Sequence, residues 1–158
     1  MLRRVFLAVC LMAWLPMAAA QAVPKPSTKD LCPVCGMLVS KYPNWVAMVQ
    51  WKDGHTHFFD GAKDMFKFLL DLPKYAPGHR REDIARILVT DFYNLERIDA
   101  RKAIFVTGSD TLGPMGHELV PLASQADADD FLKDHKGKRQ VGFDKVDAEL
   151  LNTLDKGK

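Results

Sequence analysis

Asp53-Gly54 stands between two β-prone runs, Trp45 to Trp51 and His55 to Phe59. An Asp-Gly pair accepts the positive φ of a tight turn, so the two runs are expected to pair as a hairpin. Directly after it, Met65, Phe66, Leu69 and Leu70 recur at helical spacing, with Asp60 placed to cap the helix that Asp60 or Gly61 opens. Leu72 to Gly78, with two prolines and a glycine, ends that helix. The order returns later in the chain. Ala103 to Thr107 reads as a strand, Gly108 to Gly116 as a glycine-rich loop, Glu118 to Leu122 as a strand, and Gln125 to about His135 as a helix capped by Ser124. Between the two runs of elements, Glu82 to Arg86 reads as a short helical turn, Ile87 to Thr90 as a strand and Asp91 to Ala100 as a connection. Val141 to Phe143 and Val146 to Leu154 read as a last strand and helix. The expected class is α+β, with antiparallel β-hairpins and helices on one face, in two similar halves at about 31–80 and 81–158.

The start of the chain sets a compartment. Arg3 and Arg4 precede an apolar run from Val5 to Leu15, and Ala18-Ala19-Ala20 supply small residues for cleavage, the pattern of an export signal over residues 1–22. The run is short for a bilayer span. Lipidation at Cys10 is disfavoured, because Val9 precedes it and little apolar sequence lies upstream. The expectation is an exported protein with a cleaved signal, membrane anchoring being the alternative. Residues 23–30 are proline-containing and read as a flexible leader. Removing Arg3 and Arg4 leaves 20 basic residues against 20 acidic ones, so no excess positive charge points to nucleic acid or anionic lipid. The remainder is long enough for one domain with a real core.

With Cys10 in the signal, Cys32 and Cys35 are too few to staple a disulfide-rich fold and must be explained locally. They lie in Cys32-Pro33-Val34-Cys35-Gly36-Met37. Two thiols and a thioether are soft donors, suited to Cu(I), Zn(II) or iron–sulfur clusters. A Cys-x-x-Cys pair also serves disulfide exchange, where the first thiol sits at a helix N-terminus that lowers its pKa. Here Gly36 interrupts, Lys41-Tyr42-Pro43-Asn44 makes no helix, and a thioredoxin-like βαβ setting is missing. A closed zinc site would need two histidines besides the two cysteines. His55 and His57, two apart on a strand, are candidates, with polar positions on a solvent-facing hairpin as the other reading. Met37 favours Cu(I), since a thioether is a poor zinc ligand, unless it simply fills a gap in the core.

A second sulfur stands in Gly113-Pro114-Met115-Gly116-His117. Glycine and proline make this a loop, where a methionine has less reason to be buried. Met115, and with it His117, would complete a Cys, Met, His environment for Cu(I) if the halves fold together; the other reading is a loop whose methionine docks on the core.

The export signal, Cys35-Gly36-Met37, the hairpin ending in Phe59-Asp60-Gly61, and Gly113-Pro114-Met115-Gly116 before a strand and capped helix together resemble the NosL family of nitrous oxide reductase accessory proteins. The resemblance spans about Leu31 to Val146. It implies two related ββαβ-like parts and a periplasmic Cu(I) metallochaperone supplying the copper centre of nitrous oxide reductase, with no catalysis of its own. Its partners would be that enzyme or another periplasmic copper acceptor, and an upstream copper donor. By matching position, Cys35 and Met37 fall on the Cys-Gly-Met motif and Met115 on the Met-Gly motif; Cys32 and His117 are further candidate metal ligands. Family members are often lipoproteins, and many lack a residue like Cys32. The front half also resembles heavy-metal-binding modules that begin Cys-Pro-x-Cys-Gly-Met, with Phe58-Phe59 and Pro73-Lys74-Tyr75 fitting, but their later cysteine pair is missing after Phe59.

Three functions remain open at this stage. A copper chaperone would need Cys35 and tolerate changes at Asp91 or Lys102. A thiol-disulfide oxidoreductase would need both Cys32 and Cys35. A structural interaction protein would need neither. Hydrolytic or acid–base catalysis has no motif to carry it, since Asp127, Asp129 and Asp130 suit the first turn and solvated face of a helix.

Overall fold

The computed structural model describes residues 22–157, so all of the expected signal segment except Ala22 lies outside them. The elements are β1 (Ala47–Trp51), β2 (Thr56–Phe59), α1 (Ala62–Leu70), α2 (Leu72–Tyr75), β3 (Ile84–Thr90), β4 (Arg97–Asp99), β5 (Ile104–Thr107), β6 (Leu112–Gly113), β7 (Gly116–His117), β8 (Val120–Leu122), α3 (Gln125–Asp134), β9 (Arg139–Gly142) and α4 (Ala148–Asp155).

β1 and β2 pair antiparallel in the register Met48↔Phe58, and Gly54 closes their turn at φ +91°. β1 also pairs with β3, giving a four-stranded antiparallel sheet of order β2-β1-β3-β4. The second sheet has the order β8-β5-β9. In each, the first strand lies central, the second pairs on one side, and the chain crosses through a helix to return on the other. The fold is thus α+β, built from two ββαβ units of like topology. β3 and β4 pair with the first hairpin, so the first sheet runs past residue 80 to Asp99. The segment 91–100, expected as a connection, contains β4 because Val89 pairs with Ile98. A two-stranded ribbon, β6 with β7, lies inside the expected glycine-rich loop.

α1 joins the two units. Phe66 and Phe68 are two residues apart, about 200° around a helix, and so point to opposite sides. The Phe68 ring meets Phe59 at 5.0 Å and Trp51 at 6.4 Å, within the first unit. The Phe66 ring meets Phe105 of β5 at 5.1 Å and Phe143 at 5.0 Å. One apolar core therefore runs from Met48 and Trp51 through α1 to Phe105, Val141 and Leu151. A smaller cluster of Val106, Val120, Leu122, Ala128 and Phe131 seats α3 on the second sheet.

Asp91 corrects an expectation. It is fully buried, and its carboxylate accepts from the backbone N–H groups of Asn94 at 2.8 Å and Ala123 at 2.8 Å, tying the two sheets together. A substitution there breaks the fold's internal hydrogen bonds, so Asp91 is no neutral control. The leader residues Val23 to Pro26 lie along a groove with Pro43, Val46 and Leu95.

Candidate metal centre

The cysteine motif forms a tight loop. Gly36 N–H donates to the Cys32 carbonyl at 2.8 Å and Cys32 N–H to the Met37 carbonyl at 2.9 Å, while Leu31 and Leu38 form a bridge below. Gly36 sits at φ +77°, a left-handed conformation that a side chain would strain. Both cysteines are free thiols, Cys32 buried and Cys35 half-buried.

The loop packs over the start of α1. The Cys35 thiol donates to Asp60 Oδ1 at 3.2 Å and the Cys32 thiol to Asp64 Oδ2 at 3.4 Å. Asp60 lies just ahead of the N-cap Gly61 and Asp64 in the first turn of α1. One ligand atom from each of Cys32, Cys35, Asp60 and Asp64 lies within 4.8 Å of all the others. Asp60 Oδ2 and Asp64 Oδ1 are buried without a hydrogen-bond partner among the described residues, the Lys67 ammonium lying 3.6 Å from Asp64 Oδ1. Buried carboxylate oxygens left unpaired suit a cation.

Burial pushes the Cys35 thiol up to about 12, with Asp64 and Asp60 adding to the rise. Burial likewise pushes the Cys32 thiol far above its ordinary value. Both are protonated at neutral pH when free, the reverse of the activated thiolate that disulfide exchange uses. A metal entering here must displace protons.

The distant methionine loop lands on the same helical turn. The buried Lys63 ammonium donates to the Met115 carbonyl at 2.9 Å and pairs with Asp155 at 3.2 Å. The Lys63 backbone N–H donates to Glu118 Oε1 at 2.6 Å. Glu118 packs so closely over the helix start that a Cβ on Gly61 would lie 2.3 Å from its Oε2. Met115 itself is 43% exposed, available to a ligand or an approaching protein.

Cys32 and Cys35 thus come together, and the Met115 loop is anchored to Lys63, between Asp60 and Asp64 in the chain. Met37 is half-buried, its carbonyl closing the cysteine loop. His117 is not in the four-residue cluster; its ring lies against the end of α4, where a Cβ on Gly157 would be 3.7 Å from its Nε2, and its Nδ1 is buried without a partner. His55 and His57 do not join the cysteines, so the Cys2His2 zinc arrangement is not formed among the described residues.

Asp60 and Asp64 were not anticipated as site residues. Asp60 was expected to cap α1, but Gly61 is the N-cap and no side chain caps that end. The legible hint is a pair of acids at the start of a helix otherwise reading as core, Asp60 ahead of its cap and Asp64 in its first turn.

These features define an α+β protein whose Cys32, Cys35, Asp60 and Asp64 side chains form a cluster that could hold a metal ion. The NosL family model matches residues 23–151, and the chain belongs to the NosL family. The chain is 29% identical over 128 residues to the copper-binding lipoprotein NosL of Stutzerimonas stutzeri, the match covering 77% of this chain and 64% of that protein. The chain therefore spans just under two thirds of that relative's length. Its fold is similar to the crystal structure of the copper chaperone NosL from Shewanella denitrificans, with a TM-score of 0.67 and 26% identity over 82% of this chain and 98% of the other.

Proposed function

We propose that this chain is an exported Cu(I) metallochaperone that delivers copper to the copper centre of nitrous oxide reductase. The observation that carries the reading is the convergence of the Cys32–Cys35 loop and the Met115 loop on the first turn of α1. Cys35 is the thiolate anchor, Met37 and Met115 are thioether partners, and Cys32 or His117 is an exchangeable further ligand. Soft sulfur donors favour Cu(I), and the half-exposed Met115 leaves a side open for an acceptor's ligands to enter. In the metal-free protein the carboxylates of Asp60 and Asp64 accept the hydrogen bonds of the two thiols, and those protons leave when the thiolates form.

Compartment follows from two supports, the signal pattern at 1–22 and a relative that is a lipoprotein by name. The proposed location is the periplasm, by cleaved signal or membrane anchor. No helix among the described residues is long and apolar enough to cross a membrane.

A second reading rests on the two carboxylates. A set of two thiolates and two carboxylate oxygens also suits a borderline ion such as Zn(II) in tetrahedral geometry. The test is an oxygen-free competition titration with Cu(I) and with Zn(II), on the full chain and on Cys35→Ala, followed by incubation with copper-free nitrous oxide reductase. Expected are one Cu(I) per chain, at least a hundredfold weaker binding in Cys35→Ala, and copper transfer to the enzyme. Tight Cu(I) binding unaffected by Cys35→Ala would overturn the anchor, and retention of copper against the empty enzyme would overturn delivery.

A further inference from the structure

His55, His57 and His79 gather outside the cysteine cluster. His55 and His57 project from the first hairpin two residues apart, and His79 is brought to them by the chain reversal after α2, where Gly78 takes φ +87°. Ring centroids lie 4.7 Å apart for His55 and His57, 6.2 Å for His57 and His79, and 6.3 Å for His55 and His79. Three imidazoles bound tetrahedrally to one ion at ordinary metal–nitrogen lengths have centroids about 5 Å apart. His55 and His57 are already near that spacing, and His79 must close by about 1 Å on both for the three to share one ion.

His79 Nδ1 is buried and has no hydrogen-bond partner among the described residues, an unmet polar atom within this group. Trp51 bears on all of this: its Nε1–H donates to His57 Nδ1 at 2.9 Å, and its ring lies 4.3 Å from that of His79. In the metal-free protein that bond places the His57 proton on Nε2. Capture of a metal at either His57 nitrogen takes the acceptor away from Trp51, which gives the site a spectroscopic signature.

We propose that His55, His57 and His79 form a second, imidazole-only metal site that takes a late first-row divalent ion. Imidazole donors suit Cu(II) and Zn(II), and intrinsic affinity orders Cu(II) above Zn(II). The site shares no residue with the Cys32, Cys35, Asp60 and Asp64 cluster, and stands or falls independently of Cu(I) delivery.

The experiment uses the full chain carrying Cys32→Ser and Cys35→Ser, titrated with Zn(II) and separately with Cu(II). Zn(II) binding is read by calorimetry and by imidazole and indole nitrogen NMR. One equivalent of Zn(II) is expected to bind with a Kd of about 10 μM or tighter, with Cu(II) tighter still. The His57 and His79 ring nitrogens and the Trp51 indole N–H are expected to shift together. His79→Ala should weaken binding at least tenfold, and so should His55→Ala, whose exposed side chain leaves the fold intact. Absence of binding to the chain carrying Cys32→Ser and Cys35→Ser, or binding that neither histidine substitution weakens, would overturn the site.

Discussion

Glu118 ties the Met115 loop to the start of α1. Burial pushes its carboxyl up to about 7 from the model-peptide value of 4.5, against the opposing pull of the Leu119 and Lys63 N–H groups and the Lys63 charge. An acid whose pKa rises on folding stabilises the fold below its unfolded pKa and loses that contribution as pH climbs through the folded value. Chemical denaturation should therefore show Glu118→Gln gaining on the parent chain between pH 4.5 and about 7, by roughly 3 kcal/mol at most. The thiols titrate in the other functional sense. With Cys35 protonated up to about 12, each thiolate ligand formed releases a proton, so Cu(I) affinity should tighten about tenfold per pH unit from about pH 6 to pH 9. A flat profile would remove the thiolate anchor. Cys35, Cys32 and Met115 stood out in the sequence because sulfur at a Cys-x-x-Cys or a Gly-Pro-Met-Gly loop has few structural uses. Glu118 did not, since a glutamate beside a strand ordinarily faces water, and only the packing of Gly61 and Gly113 beneath it makes the position buried.

At the scale of elements, local signals were legible where the partner lay within a few residues. Gly54 turns the first hairpin, and Ser124 caps α3 by accepting from the Asp127 N–H. Ser124→Ala should lower stability by about 1 kcal/mol, measured by thermal or chemical unfolding, with copper binding unchanged. Asp147 caps α4 in the same way, accepting from the Leu150 N–H at 2.8 Å. α1 departs from this pattern because Asp60 turns away from the helix end to meet Cys35, leaving Gly61 as cap under Glu118. Gly61 is extended at φ −167°, so its role is space rather than backbone freedom. Gly61→Ala should destabilise by about 1–3 kcal/mol through overpacking and weaken Cu(I) binding as Glu118 and the Met115 loop are pushed off the helix. Unchanged affinity in that variant would show the loop's docking to be irrelevant to the metal.

For the whole molecule, α1 is the shared wall of two ββαβ units. Phe66 packs on Phe105 and Phe143 while Phe68 packs on Phe59, so neither unit closes its core alone. Phe66→Ala should destabilise by about 3–5 kcal/mol, and the parent chain should unfold in one cooperative transition by fluorescence and circular dichroism alike. Two separated transitions would mean the units fold independently. The wedge also explains the position of the metal centre: the unit junction brings residues 32–35 and 115–118 to one turn of α1.

By itself the sequence determined the alternation of hairpins and capped helices, the α+β class, and which atoms are soft enough to hold copper. These follow from interactions between near neighbours and from the chemistry of single side chains. Only the tertiary structure decided that Asp60 and Asp64 face the cysteines, that Lys63 holds the Met115 loop, and that His57 and His79 meet at Trp51 with His55 beside them. Those meetings join residues up to 52 positions apart, and they are set by how α1 packs between two sheets, which no local pattern encodes.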